Sequence, residues 1–243
     1  MKIVDFMVDS QINLTGDVLE LTLEGDTSAI TAPGQFVNVK LDGFFLRRPI
    51  SVCDWTENTL RIIYKVVGKG TDAMVDLQSG DLLELLTGLG NGYNLEKSGD
   101  APLLLGGGVG VPPLYGLAKR LRAQGKDVTA VLGFNTQKEV FYEKQFAALG
   151  VKTIVTTADG SYGEKGFVTT PMEKLDYSYF YTCGPMPMLR AVNAAAKTAG
   201  QFSFEERMGC GFGACMGCTC QTKNGAKRIC KEGPVLEREE IQW

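Results

Sequence analysis

The chain has no histidine among its 243 residues. That absence removes several chemistries. A Ser-His-Asp or Cys-His nucleophilic site is excluded, as are a Cys/His zinc site and a Rieske cluster. General acid–base work is left to carboxylates or lysine. Chemistry carried by a bound cofactor remains open, because the protein then supplies binding and orientation. An excess of positive charge is also missing. The net charge is −3, which argues against nucleic acid and against an anionic membrane surface. No apolar run approaches the ~20 residues a spanning helix needs, so no membrane association is expected. The opening MKIVDFMVDSQ alternates like a strand and carries an early acid, unlike a signal peptide. A cytoplasmic location is the expectation. Thiols stay reduced there, and clustered cysteines more often bind metal than pair as disulfides. Internal repeats and low-complexity tracts are absent as well.

What is present is a globular composition, 44% hydrophobic and 22% charged, in three stretches of different rhythm. Residues 1–98 read as short strands: KIVDFMV, VLELTLE, QFVNVKL, LRIIYKVV and LLELLTG. APG, DG and SGD punctuate them as turns, so an antiparallel β-barrel or sandwich is expected. A short helix is predicted after Gly70, through TDAMVDLQS. Residues 99–202 alternate strand and helix, which implies a parallel α/β sheet. Its strands are PLLLGG, DVTAVLGF, VKTIVTT and YSYFYTCG. Its helices are VPPLYGLAKRLRAQG, KEVFYEKQFAALG and PMPMLRAVNAAAKTAG, the first stopped by Gly125 and the last by Gly200. Residues 203–243 are poor in large apolar side chains. A forty-residue piece of that kind usually needs a metal or a crosslink.

Four of the seven cysteines fall in that last stretch within MGCGFGACMGCTC, Met208 to Cys220. Cys210, Cys215 and Cys218 stand as C-x4-C-x2-C, with Cys230 twelve positions on. This is the plant-type [2Fe–2S] spacing. A structural zinc site would favour two C-x2-C knuckles, and only one is present. Unligated thiols are the third reading. The interleaved glycines suit a loop that brings backbone N–H groups close to sulfide. Cys220 reads as a non-ligand beside the cluster. Lys223, Lys227, Arg228 and Lys231 either offset an anionic cluster, face a partner, or form a solvated basic surface.

Two further signals concern anions. LRRPISV (46–52) places Arg48 and Ser51 where guanidinium and hydroxyl reach one diphosphate, or else Arg48 is a surface residue beside a strand. IIYKVVGKGT (62–71) offers Tyr64 either to an aromatic cofactor ring or to the core, and Gly70 and Thr71 at a helix start facing phosphate. LLLGGGVGVPPL (103–114) sets Gly106, Gly107, Gly108 and Gly110 in a phosphate-tolerant turn, although not the GxGxxG fingerprint. Pro112 and Pro113 fit the first helical turn. Cys183, Gly184 and Pro185 in YTCGPMPML follow another strand of the same sheet, where ligands gather. A tight connection and a small buried side chain are the plain alternatives for the glycines and for Cys183. TADGSYGEKGFV (157–168) reads as a loop over that edge.

Together these motifs resemble the ferredoxin–NADP reductase superfamily. RRPISV, GKGT, GGGVGVPPL, CGPMPML and EERMGCGFGACMGCTC resemble most closely the electron-transfer subunits of NAD-dependent dihydroorotate dehydrogenases. The resemblance covers nearly the whole chain and implies an FAD barrel, an NAD-binding α/β domain and a [2Fe–2S] module. It assigns Arg48, Pro49, Ile50, Ser51, Ile63, Tyr64, Lys65, Gly70 and Thr71 to FAD. Gly106, Gly107, Gly108, Gly110, Cys183, Gly184 and Pro185 fall to NAD(H), and Cys210, Cys215, Cys218 and Cys230 to the cluster. It implies an FMN-containing catalytic partner, two of each chain in a heterotetramer, and electrons passing from that FMN through cluster and FAD to NAD⁺. Subunits of NAD(P)H-linked hydrogenases or ferredoxin transhydrogenases are the nearest alternative, and a zinc-stapled binding module the non-enzymatic one. No acidic residue is clearly placed in the sequence for a ribose 2′-hydroxyl, so NAD over NADP rests on resemblance.

Overall fold

The computed structural model describes residues 1–243. The first six strands are β1 (Lys2–Asn13), β2 (Val18–Glu24), β3 (Phe36–Val39), β4 (Arg48–Trp55), β5 (Thr59–Lys65) and β6 (Leu82–Leu89). They close an antiparallel barrel in the order β1-β2-β5-β4-β3-β6. Alternation along β5 explains how the barrel both fills itself and joins its neighbour. Leu60, Ile62 and Tyr64 pack in the barrel core, while Ile63 points the other way into a core shared with the following domain. The sequence suggested five strands here. The sixth, β4, carries the RPISV motif itself, so Arg48 and Ser51 lie at the start of a strand. Helix α1 (Lys69–Ala73) begins two residues earlier than expected and is a single turn.

The second sheet contains β7 (Leu103–Gly107), β8 (Thr129–Phe134), β9 (Lys152–Thr157), β10 (Glu164–Lys165), β11 (Phe180–Cys183) and β12 (Gly200–Ser203). A hairpin of β13 (Thr219–Thr222) and β14 (Gly225–Arg228) follows, then β15 (Val235–Glu237). The sheet order is β10-β9-β8-β7-β11-β12-β15, parallel except for β15. Helix α2 (Pro112–Ala123) carries its two prolines in the first turn, and Gly125 follows at φ +78°. Helices α3 (Glu143–Ala148), α4 (Thr169–Met172) and α5 (Met186–Ala195) complete the set.

Two expectations are corrected. The segment 138–150 is not one helix: it is a 3-10 turn at Gln137–Glu139, an extended break, and then α3. Tyr142 sits at the break with φ +69°. Its ring meets Tyr115 edge-on at 5.1 Å, and its hydroxyl donates to Glu20 Oε2 of the barrel at 2.5 Å. These tertiary contacts outweigh the modest helix propensity of Val, Phe and Tyr. Gly200 does not close a helix either. Helix α5 ends at Ala195, and Gly200 opens β12, where a Cβ would overlap the Phe180 ring.

The C-terminal segment does not stand by itself. Cys218, Ile229 and Cys230 pack with Phe36, Leu86 and Leu89 of the barrel and with Phe202 of β12. Asn91, just past β6, clasps the strand-entry segment: its side-chain amide donates to the carbonyls of Glu232 and Val235, and its Oδ1 accepts from Val235 N–H. The segment therefore borrows apolar surface from both neighbours, which is how so few large side chains suffice.

Candidate functional site

The order β9-β8-β7-β11-β12 reverses direction between β7 and β11, so the crevice at their C-terminal ends is the topological switch point. Both glycine motifs lie there. Gly110 packs directly on the other turn: a Cβ would overlap the carbonyl oxygen of Cys183. Gly184 is similarly pressed, with Met188 Cε 2.7 Å from a hypothetical Cβ. Gly108 has φ +53° and open space above it.

A cavity of about 500 Å³ opens at this edge. Gly107, Gly108 and Pro185 border it, as do Phe134 at the end of β8, Asn135 just beyond it and Thr156 on β9. Gly166 to Thr169 form another wall, so the loop read over this edge does face it. Gly106, Gly110, Cys183 and Gly184 do not border it. They lie behind, in the packing of the two turns, and Cys183 is a small side chain buried in the core. Burial pushes its thiol well above the ordinary cysteine value.

A second cavity, about 380 Å³, lies between barrel and sheet. Arg48, Pro49, Ile50, Ser51, Ile63, Tyr64, Lys65 and Thr71 all border it. Gly70 lies just under Arg48: a Cβ there would overlap the guanidinium, so only glycine leaves room for that side chain. Arg48 rests its guanidinium 4.6 Å over the Phe44 ring and donates to the Leu46 carbonyl. Thr71 Oγ1 accepts from Val67 N–H at 2.9 Å and holds the loop before α1. Tyr64 touches the cavity, yet it is only 2% exposed, its ring packs in the barrel core, and its hydroxyl donates to Gln11 Oε1 at 2.9 Å. The core role describes this ring. An elongated cleft with an arginine and a hydroxyl on one side and apolar walls fits a flavin dinucleotide.

The two cavities share Lys65, Val109 and Glu205. The flavin-sized cavity also reaches Glu206 and Met208, at the threshold of the cysteine loop. Of these, Val109 lies inside the GGGVGVPPL motif and Glu205, Glu206 and Met208 inside EERM, but no spacing rule singled out these side chains as cavity walls. The run EERM, one glycine before Cys210, was the only hint for the last three.

The cysteines assemble as two pairs. Ala214 N–H and Cys215 N–H donate to Cys210 Sγ at 3.2 and 3.4 Å, and Cys210 N–H donates to Cys215 Sγ at 3.5 Å. Twelve residues on, Cys230 N–H donates to Cys218 Sγ at 3.4 Å. The inner pair is buried, at 3% and 2% exposure, while Cys210 is half-buried and Cys215 exposed. Burial raises the Cys210 thiol, but the N–H groups of Cys215, Phe212 and Ala214 outweigh it and bring the thiol down to about 6. Burial and the adjacent Cys218 push Cys230 up to about 12. A plant-type [2Fe–2S] cluster would take four thiolates and no other ligand type. The donor set and its pairwise arrangement fit [2Fe–2S].

Local geometry holds the loop open for such a group. Gly211 and Gly213 have φ +77° and +93°, and Met216 follows at +60°. Asn38 Nδ2 on β3 donates to the Cys210 carbonyl at 3.3 Å. Three of the four basic residues are tied into structure. Arg228 donates to the Gly213 carbonyl at 2.7 Å and to Glu232, Lys227 pairs with Glu240, and Lys223 donates to the Glu239 carbonyl. Phe45, Leu46, Phe212 and Met216 are exposed, and Phe45 and Leu46 share a surface depression with Cys210 and Cys215.

Comparison with known proteins gives the same parts. Residues 205–242 match the iron-sulfur cluster binding domain of dihydroorotate dehydrogenase B, and residues 104–194 match the oxidoreductase NAD-binding domain. The chain is 41% identical over 257 residues to the dihydroorotate dehydrogenase B (NAD(+)) electron transfer subunit of Bacillus mycoides (strain KBAB4), covering 99% of each chain. It is 42% identical to the protein of that name from Lysinibacillus sphaericus (strain C3-41), covering 95% of each. Among solved structures, an NADH-dependent reduced ferredoxin-NADP oxidoreductase superposes with a TM-score of 0.89 at 30% identity, covering 98% of this chain and 90% of that one. The ferredoxin reductase of carbazole 1,9a-dioxygenase, at 21% identity and a TM-score of 0.71, covers 80% of this chain and 65% of its own and shares the fold.

Proposed function

The chain belongs to the family of dihydroorotate dehydrogenase B electron transfer subunits, and from that premise we propose that it carries electrons between a dihydroorotate-oxidising partner and NAD⁺. The observation that carries this reading is the continuity of the three sites. The nucleotide cavity and the flavin cavity meet at Lys65, Val109 and Glu205, and the flavin cavity ends at the cysteine loop. When bound, FAD supplies the exchange between hydride and single electrons, and the cluster carries the single electrons.

The chain's own residues bind and orient. Arg48 and Ser51 are assigned to the FAD diphosphate, with Pro49, Ile50, Ile63, Tyr64 and Lys65 walling the cleft and Gly70 and Thr71 shaping the loop beneath Arg48. Gly107 and Gly108 admit the NAD pyrophosphate beside Pro185, while Gly106, Gly110, Cys183 and Gly184 let the two turns approach. Cys210, Cys215, Cys218 and Cys230 would hold the cluster. The outer pair lies at the surface inside an apolar rim, which suits contact with a redox partner. We assign that partner as the FMN-containing catalytic subunit, in a heterotetramer with two of each chain. The division 1–98, 99–202 and 203–243 follows the three cofactors.

We assign a cytoplasmic location, where the thiols that would ligate the cluster stay reduced. The 30% identity to the ferredoxin-NADP oxidoreductase favours one second reading, a transhydrogenase-type subunit. Co-expression separates the two. A stable complex with the dihydroorotate-oxidising subunit, showing NAD⁺-dependent dihydroorotate oxidation, supports the first. Failure to associate, with NAD(P)H-driven ferredoxin reduction instead, supports the second.

A further inference from the structure

The nucleotide cavity has a carboxylate of its own. Glu139 ends the 3-10 turn Gln137–Glu139, directly beyond β8, and borders the cavity. Its Oε2 accepts from the Asn135 backbone N–H at 3.0 Å and from Asn135 Nδ2 at 2.9 Å. The turn is pinned in addition by Gln137 N–H, which donates to Ser161 Oγ at 2.8 Å. The carboxylate is therefore held in place, with Oε1 left for a ligand.

Its place in the sheet gives it meaning. β8 neighbours β7, whose glycine turn admits the pyrophosphate on the reading above. In doubly wound nucleotide folds, an acid beyond a neighbouring strand accepts from the ribose 2′-hydroxyl of NAD, and an arginine there accommodates the 2′-phosphate of NADP. The charged residues bordering this cavity are Lys65, Glu139 and Glu205. Lys65 lies on the barrel, at the junction with the flavin cavity. Lys138 is exposed beside Glu139 and does not border the cavity. No arginine borders it.

We propose that Glu139 is the specificity-determining residue of the nucleotide site: it accepts a hydrogen bond from the adenosine ribose 2′-hydroxyl and repels a 2′-phosphate. The cavity thus selects NAD(H) by charge. This rests on the assignment of the cavity to a nicotinamide dinucleotide.

The test uses the flavin- and cluster-loaded complex and calorimetric titration with NAD⁺ and with NADP⁺, alongside steady-state kinetics. Glu139→Gln keeps an oxygen to accept from Asn135 N–H, so the turn is expected to survive. NAD⁺ binding should weaken about tenfold, the size of one lost charge-assisted hydrogen bond. NADP⁺ binding should strengthen, narrowing the NAD⁺/NADP⁺ ratio by about 30-fold or more. Glu139→Arg should carry the preference further toward NADP⁺, and Glu139→Asp should retain it for NAD⁺. An unchanged ratio in Glu139→Gln, with flavin absorbance and thermal midpoint intact, overturns the role of Glu139 alone. Binding of neither nucleotide to the unaltered complex overturns the cavity's assignment along with it.

Discussion

At the scale of single residues, Cys210 is the most exposed test of the cluster. Cys210→Ser should abolish the iron-sulfur absorption while FAD is retained and still reduced by NADH, because the flavin cavity is built from other elements. Electron delivery to the partner should then fall by about 100-fold or more. Loss of FAD together with iron would contradict the separation of the two sites. Arg48→Ala should have the opposite pattern. FAD affinity should drop by about 10- to 100-fold, the worth of a charged hydrogen bond, with iron content unchanged in a flavin and iron assay. A candidate cysteine quartet was legible from spacing alone, since C-x4-C-x2-C is a ligand pattern and no histidine competes. The pairing into outer and inner thiols was not, because it depends on which backbone N–H groups the folded loop turns inward. Tyr64 shows the limit of a motif: its position on β5 was right, but strand alternation sends its ring into the barrel. Glu139 carried no signal at all, since an acid in a turn gains meaning only once β8 is seen beside β7.

At the scale of elements, close approach of turns decides the nucleotide edge. Gly110→Ala should force the β7–α2 turn away from the β11–α5 turn, since the obstacle is the Cys183 backbone carbonyl. A loss of about 1–3 kcal/mol in stability and weakened NAD(H) binding are expected from denaturant titration and calorimetry. β15 provides the pH-dependent element. Burial raises the Glu237 carboxyl, but Lys97, Tyr179 and Gln201 outweigh it and hold it below the usual glutamate value of 4.5. A carboxylate lowered in the folded state stabilises it fully above the unfolded value and loses that contribution as pH falls through the lower folded one. Glu237→Gln should therefore lower the unfolding free energy from urea titration at pH 7 by about 1–2 kcal/mol, and the difference should shrink below pH 4.5. An equal difference at both pH values would place the effect in packing. Strands and the α2 caps were readable because alternation, paired prolines and a left-handed glycine are local signals. The break at Tyr142 and the opening of β12 at Gly200 were not, because each is fixed by an aromatic ring or a carboxylate from a distant segment.

At the scale of the whole molecule, the barrel and the α/β domain are joined by a shared core and a polar seam. Val18, Cys53 and Ile63 of the barrel pack with Leu114, Leu117 and Tyr142. Beside them Glu20 accepts from Tyr142 and pairs with Arg61 at 3.4 Å, and Asp54 pairs with Lys119 at 2.6 Å. Arg120 lies 3.5 Å over the Trp55 ring. Tyr142→Phe should cost about 1–2 kcal/mol in urea unfolding, because Glu20 keeps only Arg61. A seam of this kind fixes the two cavities against one another, which a hydride transfer between their occupants requires.

The central claim is that NAD(H), flavin and iron form one continuous electron path through this chain. Anaerobic titration of the loaded protein with NADH, followed by absorption and low-temperature EPR, tests it most directly. The flavin band should bleach and a reduced [2Fe–2S] signal should grow to about one spin per chain, as expected for a one-electron cluster. A flavin that NADH reduces fully while the iron stays EPR-silent, or a loaded preparation devoid of iron, would contradict it.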